Sequence, residues 1–198
     1  MESLNQALFL WMNAPAQPDP FLLSIATLCA DKMIWIVPVL LVVGWLRGSD
    51  HTRRVFLVAT TATLLALSVN QLIGLVWPHP RPFMIGLGHS FLPHAADSSF
   101  PSDHMTVMCS MAFSLLYYRG FRLVGGVLAV LAIPVAWARI YLGVHFPLDM
   151  AGALAVSACA AWLAASWAFL YLPSLFRFSI NLHRLLFARL IAGGWVQH

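Results

Sequence analysis

Apolar residues run in long blocks along this chain, and the breaks between blocks are short and polar. Residues 3–13 repeat apolar positions at helical spacing and read as a short amphipathic helix. Asn13 to Pro20 holds three prolines and breaks the chain direction. Residues 21–46 are apolar apart from Asp31 and Lys32, which predicts two segments with a bend or gap between them. Residues 54–77 form a clear span ending in Trp77, and 78–100 are a loop rich in proline, histidine and glycine. Further spans are predicted near 104–118, 123–141 and 148–171. The tail, 172–198, sets Arg177, Arg184 and Arg189 on an apolar background, as a helix lying along a membrane surface does. Stretches of about 20 apolar residues cross roughly 30 Å of hydrocarbon. The pattern predicts an all-α fold, a polytopic membrane helical bundle of five to six transmembrane helices. Residues 1–198 are expected to form a single integral-membrane domain.

Composition agrees. Of the 198 residues, 61% are hydrophobic and 9% charged, against about 25% charged in a soluble domain. Cys29, Cys109 and Cys159 all lie in apolar segments without metal-ligand spacing and are read as small core residues. The first residues lack the basic region of a cleavable signal, so the first hydrophobic segments are expected to be retained.

The formal charge is +4, and the placement of the basic residues argues against nucleic acid as the partner. Arg47, Arg53 and Arg54 share one short loop, Arg119 and Arg122 flank another, and the tail holds three more. If each span crosses once, these eight of the eleven basic residues fall on one side, which the positive-inside rule makes cytoplasmic. Lys32, Arg81 and Arg139 fall on the other side. The same count brings three motif-bearing segments to that outer face.

Those segments are Pro80 to Pro82, Phe100 to His104, and Arg139 to Asp149. Pro147 suits the first position of a helix, which puts His145 just before it and Asp149 in its opening turns. A spacing of four lets the carboxylate approach one imidazole nitrogen and leaves the other free to attack. The plainer reading is a His–Asp pair that only caps a helix. Ser102, Asp103 and His104 also look like a helix start, where exposed N–H groups attract an anion. Ser102 can donate to a phosphate oxygen, and His104 can serve as general acid. Alternatively, Ser102 simply caps the helix while Asp103 complements its dipole. Asp103 is also placed to tune His104. Arg81 and Arg139 offer planar, permanently charged forks for phosphate oxygens, or else reach up to lipid headgroups.

These residues resemble the type 2 phosphatidic acid phosphatase superfamily, whose three-part signature is Lys-x6-Arg-Pro, Pro-Ser-Gly-His and Ser-Arg-x5-His-x3-Asp. The second and third parts stand here as Pro101-Ser102-Asp103-His104 and Ala138-Arg139-x5-His145-x3-Asp149, and the first keeps Arg81-Pro82. The likeness covers residues 74–149. Gly74 stands in the place of the family lysine, Asp103 in that of the glycine and Ala138 in that of the serine. The Asp103 form is similar to the bacterial undecaprenyl-diphosphate phosphatases of the superfamily, which are associated with bacitracin resistance.

The resemblance implies that His145 is the nucleophile, forming a phosphohistidine. It implies that Asp149 orients the ring and His104 protonates the leaving group. Arg81, Ser102 and Arg139 would hold the phosphoryl oxygens, with Asp103 beside them. Lys32, on the same side, is the candidate to replace the missing lysine. The implied reaction converts undecaprenyl diphosphate to undecaprenyl phosphate and inorganic phosphate, without metal or cofactor, and recycles a carrier lipid for cell-wall synthesis. The implied partners are an isoprenoid diphosphate lipid and the bilayer. Phosphatidate, phosphatidylglycerophosphate and other lipid phosphates are alternative substrates. A lipid-binding or transport protein is the non-enzymatic alternative, because ionisable residues in membranes also line transport paths. A metal hydrolase built on His79, His89, His94 or His104 lacks a tight ligand spacing, and these are read as solvated loop histidines. Trp35, Trp45, Trp77 and Trp137 are expected in an interface belt. Met84, Met105, Met108 and Met111 are expected to pack in the core.

Overall fold

Prolines and short polar side chains start the helices. In the computed structural model, which describes residues 2–195, all regular elements are helical and no strand occurs among the described residues. The helices are α1 (Glu2–Met12), α2 (Pro20–Asp31), α3 (Ile36–Arg47), α4 (Asp50–Val76) and α5 (Asp103–Leu116), followed by α6 (Arg122–Tyr141), α7 (Pro147–Ser166), α8 (Ala168–Leu186) and α9 (Ala188–Ala192). Asp19 caps α2 by accepting from the Leu22 amide at 2.8 Å, with Pro20 at the first helical position. Ser49 caps α4 from the Thr52 amide at 3.4 Å. Pro147 opens α7 where its missing N–H is not needed.

Four helical stretches are long and apolar enough to cross a membrane: Pro20–Arg47, Asp50–Val76, Arg119–Tyr141 and Pro147–Ser166. The expected bend at Asp31 and Lys32 lies within the first, where α2 gives way to a 3-10 turn, Met33–Trp35, before α3. The 14-residue α5 is shorter, about 21 Å at 1.5 Å per residue. It is also the most enclosed helix, packed between α4, α6 and α7. Met105, Met108 and Met111 are buried there, as expected of packing residues. Gly125 lets α6 approach closely, since a Cβ at that position would lie 2.8 Å from the Ala112 carbonyl. Counted with the four longer stretches, α5 completes a five-helix bundle.

Cys159 and Met84, read as core residues, are exposed, and two further sequence expectations need revision. The span expected over 148–171 breaks at Trp167, where α7 ends and α8 begins. There α8 turns back along α4 and buries Phe176, Ile180 and His183, a stripe at helical spacing. Arg53, read as a loop charge, lies in the opening turns of α4 and is fully buried. Its Nε donates to the Trp45 carbonyl at 3.0 Å and its Nη2 lies 3.3 Å from His183 Nε2, which ties α3, α4 and α8 together.

The opposite end of the bundle is closed by α1. Phe9 is buried with its ring 5.3 Å from that of Phe146, and Asn5 accepts from the Leu148 amide at 3.1 Å. Asn13 donates to the carbonyls of His89 (2.9 Å) and Tyr141 (3.0 Å). These contacts lock the loop after α4 and the α6–α7 turn to one end of the bundle.

Candidate active site

That end gathers chain from four places: the long loop between α4 and α5, the start of α5, the end of α6 and the turn into α7. The α6–α7 turn depends on Gly143, whose φ of +83° favours glycine. A side chain there would also collide with the His89 carbonyl. The Val144 amide closes the turn on the Arg139 carbonyl at 3.1 Å, so Arg139 and His145 are held as one unit.

His145 is buried, and its Nδ1 lies 3.1 Å from Asp149 Oδ2. A carboxylate only accepts, so Nδ1 carries the proton and Nε2 keeps its lone pair. The same Asp149 oxygen accepts from the Phe146 amide at 2.8 Å and, over a short contact, from the Ser99 hydroxyl. Ser99 Oγ is also 3.3 Å from His145 Nδ1. Burial, with the charges of Arg139 and Arg81 nearby, holds the His145 imidazole well below its ordinary pKa. The ring is therefore neutral at neutral pH.

Arg81 faces the free nitrogen, with its Nη1 3.1 Å from His145 Nε2 and 3.0 Å from the Val144 carbonyl it donates to. The rest of its fork is taken by Asp97 Oδ1, 2.8 Å from both Nε and Nη2. Burial works against ionisation of Asp97, yet the Arg81 contact holds its carboxyl below the usual range.

Two buried polar groups point to a ligand. Arg139 is 2% exposed and Ser102 fully buried, yet Arg139 Nε and Ser102 Oγ have no hydrogen-bond partner. Buried donors without partners are rare and costly. Ser102 makes no side-chain cap to α5, which removes the simple capping explanation. Both groups therefore offer donors to something outside the chain, beside the free N–H groups at the start of α5. His104, the second residue of α5, lies within electrostatic reach of Arg139, His145 and His94.

The structure thus brings Arg81, Ser102, His104, Arg139, His145 and Asp149 to one end of the bundle. Asp103 is beside them but turned to α4, where it accepts from Asn70 at 2.8 Å and Gln71 at 3.3 Å. Lys32 stands apart. Its ammonium pairs with Asp31 at 2.7 Å, its side chain is 65% exposed, and no contact joins it to Arg81 or Ser102 among the described residues. Gly74 borders a polar cavity of about 200 Å³ shared with Arg81, Asp97 and Asp103.

Sequence reading missed Ser99, Asp97 and His94. The signal was available: Asp97 is one of only seven acidic residues, and it stands three positions after a histidine in a loop leading to Pro101-Ser102-Asp103-His104.

Comparison with known proteins bears on the family and the fold. Residues 54–189 match the family described as the PAP2 superfamily. The chain is 39% identical to the putative undecaprenyl-diphosphatase YbjG of Escherichia coli (strain K12), covering all of this chain and 99% of that one. It is 32% identical to the undecaprenyl-diphosphatase BcrC of Bacillus subtilis (strain 168), over 78% of this chain and 79% of that one. Among solved structures, Aquifex aeolicus LpxE superposes with a TM-score of 0.64 at 20% identity, over 82% of this chain and 95% of that one. A PAP2-type phosphatidylglycerolphosphate phosphatase from Bacillus subtilis gives 0.58 at 23%, over 86% and 87%. At those identities the two structures speak for the fold alone. Family match, relatives aligned over most of their length and fold agree: the chain belongs to the PAP2 superfamily.

Proposed function

We propose that this chain is a membrane lipid phosphatase that hydrolyses undecaprenyl diphosphate to undecaprenyl phosphate and inorganic phosphate. The observation that carries the reading is the neutral, Asp149-held His145, with Arg81 on its free nitrogen and two unpartnered donors, Ser102 Oγ and Arg139 Nε, nearby. A general phosphate binder has no need of a buried imidazole held with its lone pair free. The names of the two relatives support the diphosphate lipid as substrate. The apolar flanks of the bundle suit a long isoprenoid tail lying beside a headgroup at its end. The placement of the basic residues supports an inner-membrane protein with this end on the periplasmic side. In this reading residues 1–198 act as one integral-membrane domain.

The terminal phosphoryl group enters between His145 Nε2 and Arg81, and the Arg81 Nη1 hydrogen bond passes from the ring to a phosphoryl oxygen. Nε2 attacks phosphorus and the bond to the bridging oxygen breaks. Its electron pair leaves on the lipid phosphate, assisted by a proton from His104. Arg81, Arg139, Ser102 and the α5 amides stabilise the charge spread over the transferring group. Water then attacks the phosphohistidine and gives its proton to His104. The P–N electron pair returns to Nε2, and inorganic phosphate departs.

The test is phosphate release by purified protein from undecaprenyl diphosphate, phosphatidate and phosphatidylglycerophosphate, with acid-labile phosphoenzyme trapped from substrate labelled at the terminal phosphate. The diphosphate is expected to be fastest, and the label to vanish in His145→Ala. Preference for a glycerolipid overturns the substrate assignment. Binding without phosphate release from any of the three overturns the enzymatic reading.

A further inference from the structure

The mechanism above uses two imidazoles, and the loop between α4 and α5 supplies a third. The His94 ring lies 6.2 Å from the His145 ring, at 75° to it. Its side chain is 21% exposed, so it borders the site without being sealed in. Nδ1 is 3.2 Å from the Ala95 carbonyl oxygen and 3.8 Å from Asp97 Oδ1. A carbonyl only accepts, so Nδ1 holds the proton of the neutral ring, and a second proton would go to Nε2. Asp97 Oδ1 is also the atom that takes two nitrogens of Arg81. One carboxylate oxygen therefore joins His94 to a phosphate-binding arginine. Burial, with the charges of Arg81 and Arg139, lowers the pKa of His94. A polyanion entering the site offsets the two arginine charges and favours protonation at Nε2.

Chemistry separates the two substrate types this group could serve. A phosphate monoester loses an alkoxide, which needs a proton at one atom, and His104 supplies it. A diphosphate loses a phosphate, whose charge is already spread over several oxygens and needs further donors rather than a second acid. A third cationic donor at the rim of the site is useful for the second phosphate and idle for a monoester.

We propose that His94, held by the Ala95 carbonyl beside Asp97, is a specificity-determining residue that donates from Nε2 to the second phosphate of a diphosphate. The inference rests on the proposed reading of His145 as nucleophile toward the terminal phosphate. It involves no covalent step, only uptake of one proton from solvent as the anion binds.

The experiment compares wild type, His94→Ala and His94→Gln, whose amide nitrogen can stand where Nε2 stands. Two readouts are taken: kcat/KM for undecaprenyl diphosphate and for phosphatidate, and inhibition by inorganic pyrophosphate and by orthophosphate. His94→Ala should lose roughly 10- to 100-fold on the diphosphate and on pyrophosphate, the range of a hydrogen bond to a charged group. Phosphatidate turnover and orthophosphate inhibition should stay at the wild-type values, and His94→Gln should recover part of the loss. Equal losses on both substrate types in both variants, or no loss on pyrophosphate, overturn the proposal. If wild type hydrolyses no lipid diphosphate, the substrate reading falls, while the pyrophosphate and orthophosphate comparison still decides the role of His94.

Discussion

Asp97 and Arg81 form a one-oxygen clamp: Oδ1 of the aspartate lies 2.8 Å from both Nε and Nη2 of the arginine. That fork is also the part of Arg81 best shaped for a phosphate. In the proposed function the carboxylate is expected to compete with inorganic phosphate for it and so to help the product leave. Asp97 is 60% exposed, so solvent screens the pair and its worth is at most about 1 kcal/mol. Asp97→Asn is expected to lower the inhibition constant for orthophosphate, by up to about fivefold on that energy scale. An inhibition constant that is unchanged or higher than wild type counts against the competition.

Arg139 Nε is, with Ser102 Oγ, one of the two unpartnered donors at the site. Removing one preorganised donor to developing charge typically costs about 100- to 1,000-fold in kcat. Arg139→Ala should lose that much while inserting and purifying normally. His145→Ala should lose all turnover. Phosphate-release assays on detergent-purified variants check both, and wild-type rates in the His145 variant would refute the nucleophile.

The charge state of His145 is directly measurable. Burial and the two arginines depress its pKa, so lowering the pH through the ordinary histidine value of about 6.5 should leave this ring neutral. Nitrogen-15 spectra of labelled protein should show His145 unprotonated while exposed histidines titrate. The sign follows from the cause: removing a positive neighbour, as in Arg81→Gln, should move the His145 titration upward. A His145 midpoint at or above 6.5 in the wild type would be inconsistent with the environment described.

Lys32 was the sequence-level candidate to replace the missing family lysine. Paired with Asp31 and largely exposed, it makes no contact with Arg81 or Ser102 among the described residues. Lys32→Ala is therefore expected to keep wild-type turnover and KM for the lipid diphosphate. A raised KM would return Lys32 to the site.

Much of the bundle was legible from hydropathy, because lipid forces long apolar helices with satisfied backbones. The bend at Asp31 was visible as the one charged interruption in an apolar run. The break at Trp167 was not, since the residues on both sides are equally apolar and only the contact of α8 with α4 distinguishes them. At the site, the spacing of four between His145, just before α7, and Asp149, in its first turn, could be read directly, as could Ser102 at a helix start. Ser99, Asp97 and His94 belong to an irregular loop whose path is fixed by distant contacts, such as Asn13 with His89 and the Phe91 amide with the Leu142 carbonyl. No periodicity encodes such a path, so a histidine there looked like any solvated loop residue.

The placement of α1 carries a consequence of parity. Its residues Asn5 and Phe9 lie against the turn that holds His145, whereas Phe187, just after α8, lines an apolar groove with Trp45 and Phe56 near the buried Arg53. The two ends of the described chain thus sit at opposite poles of the bundle. A chain that starts at one pole and finishes at the other traverses an odd number of times, which favours five crossings over six without counting a single hydrophobic residue.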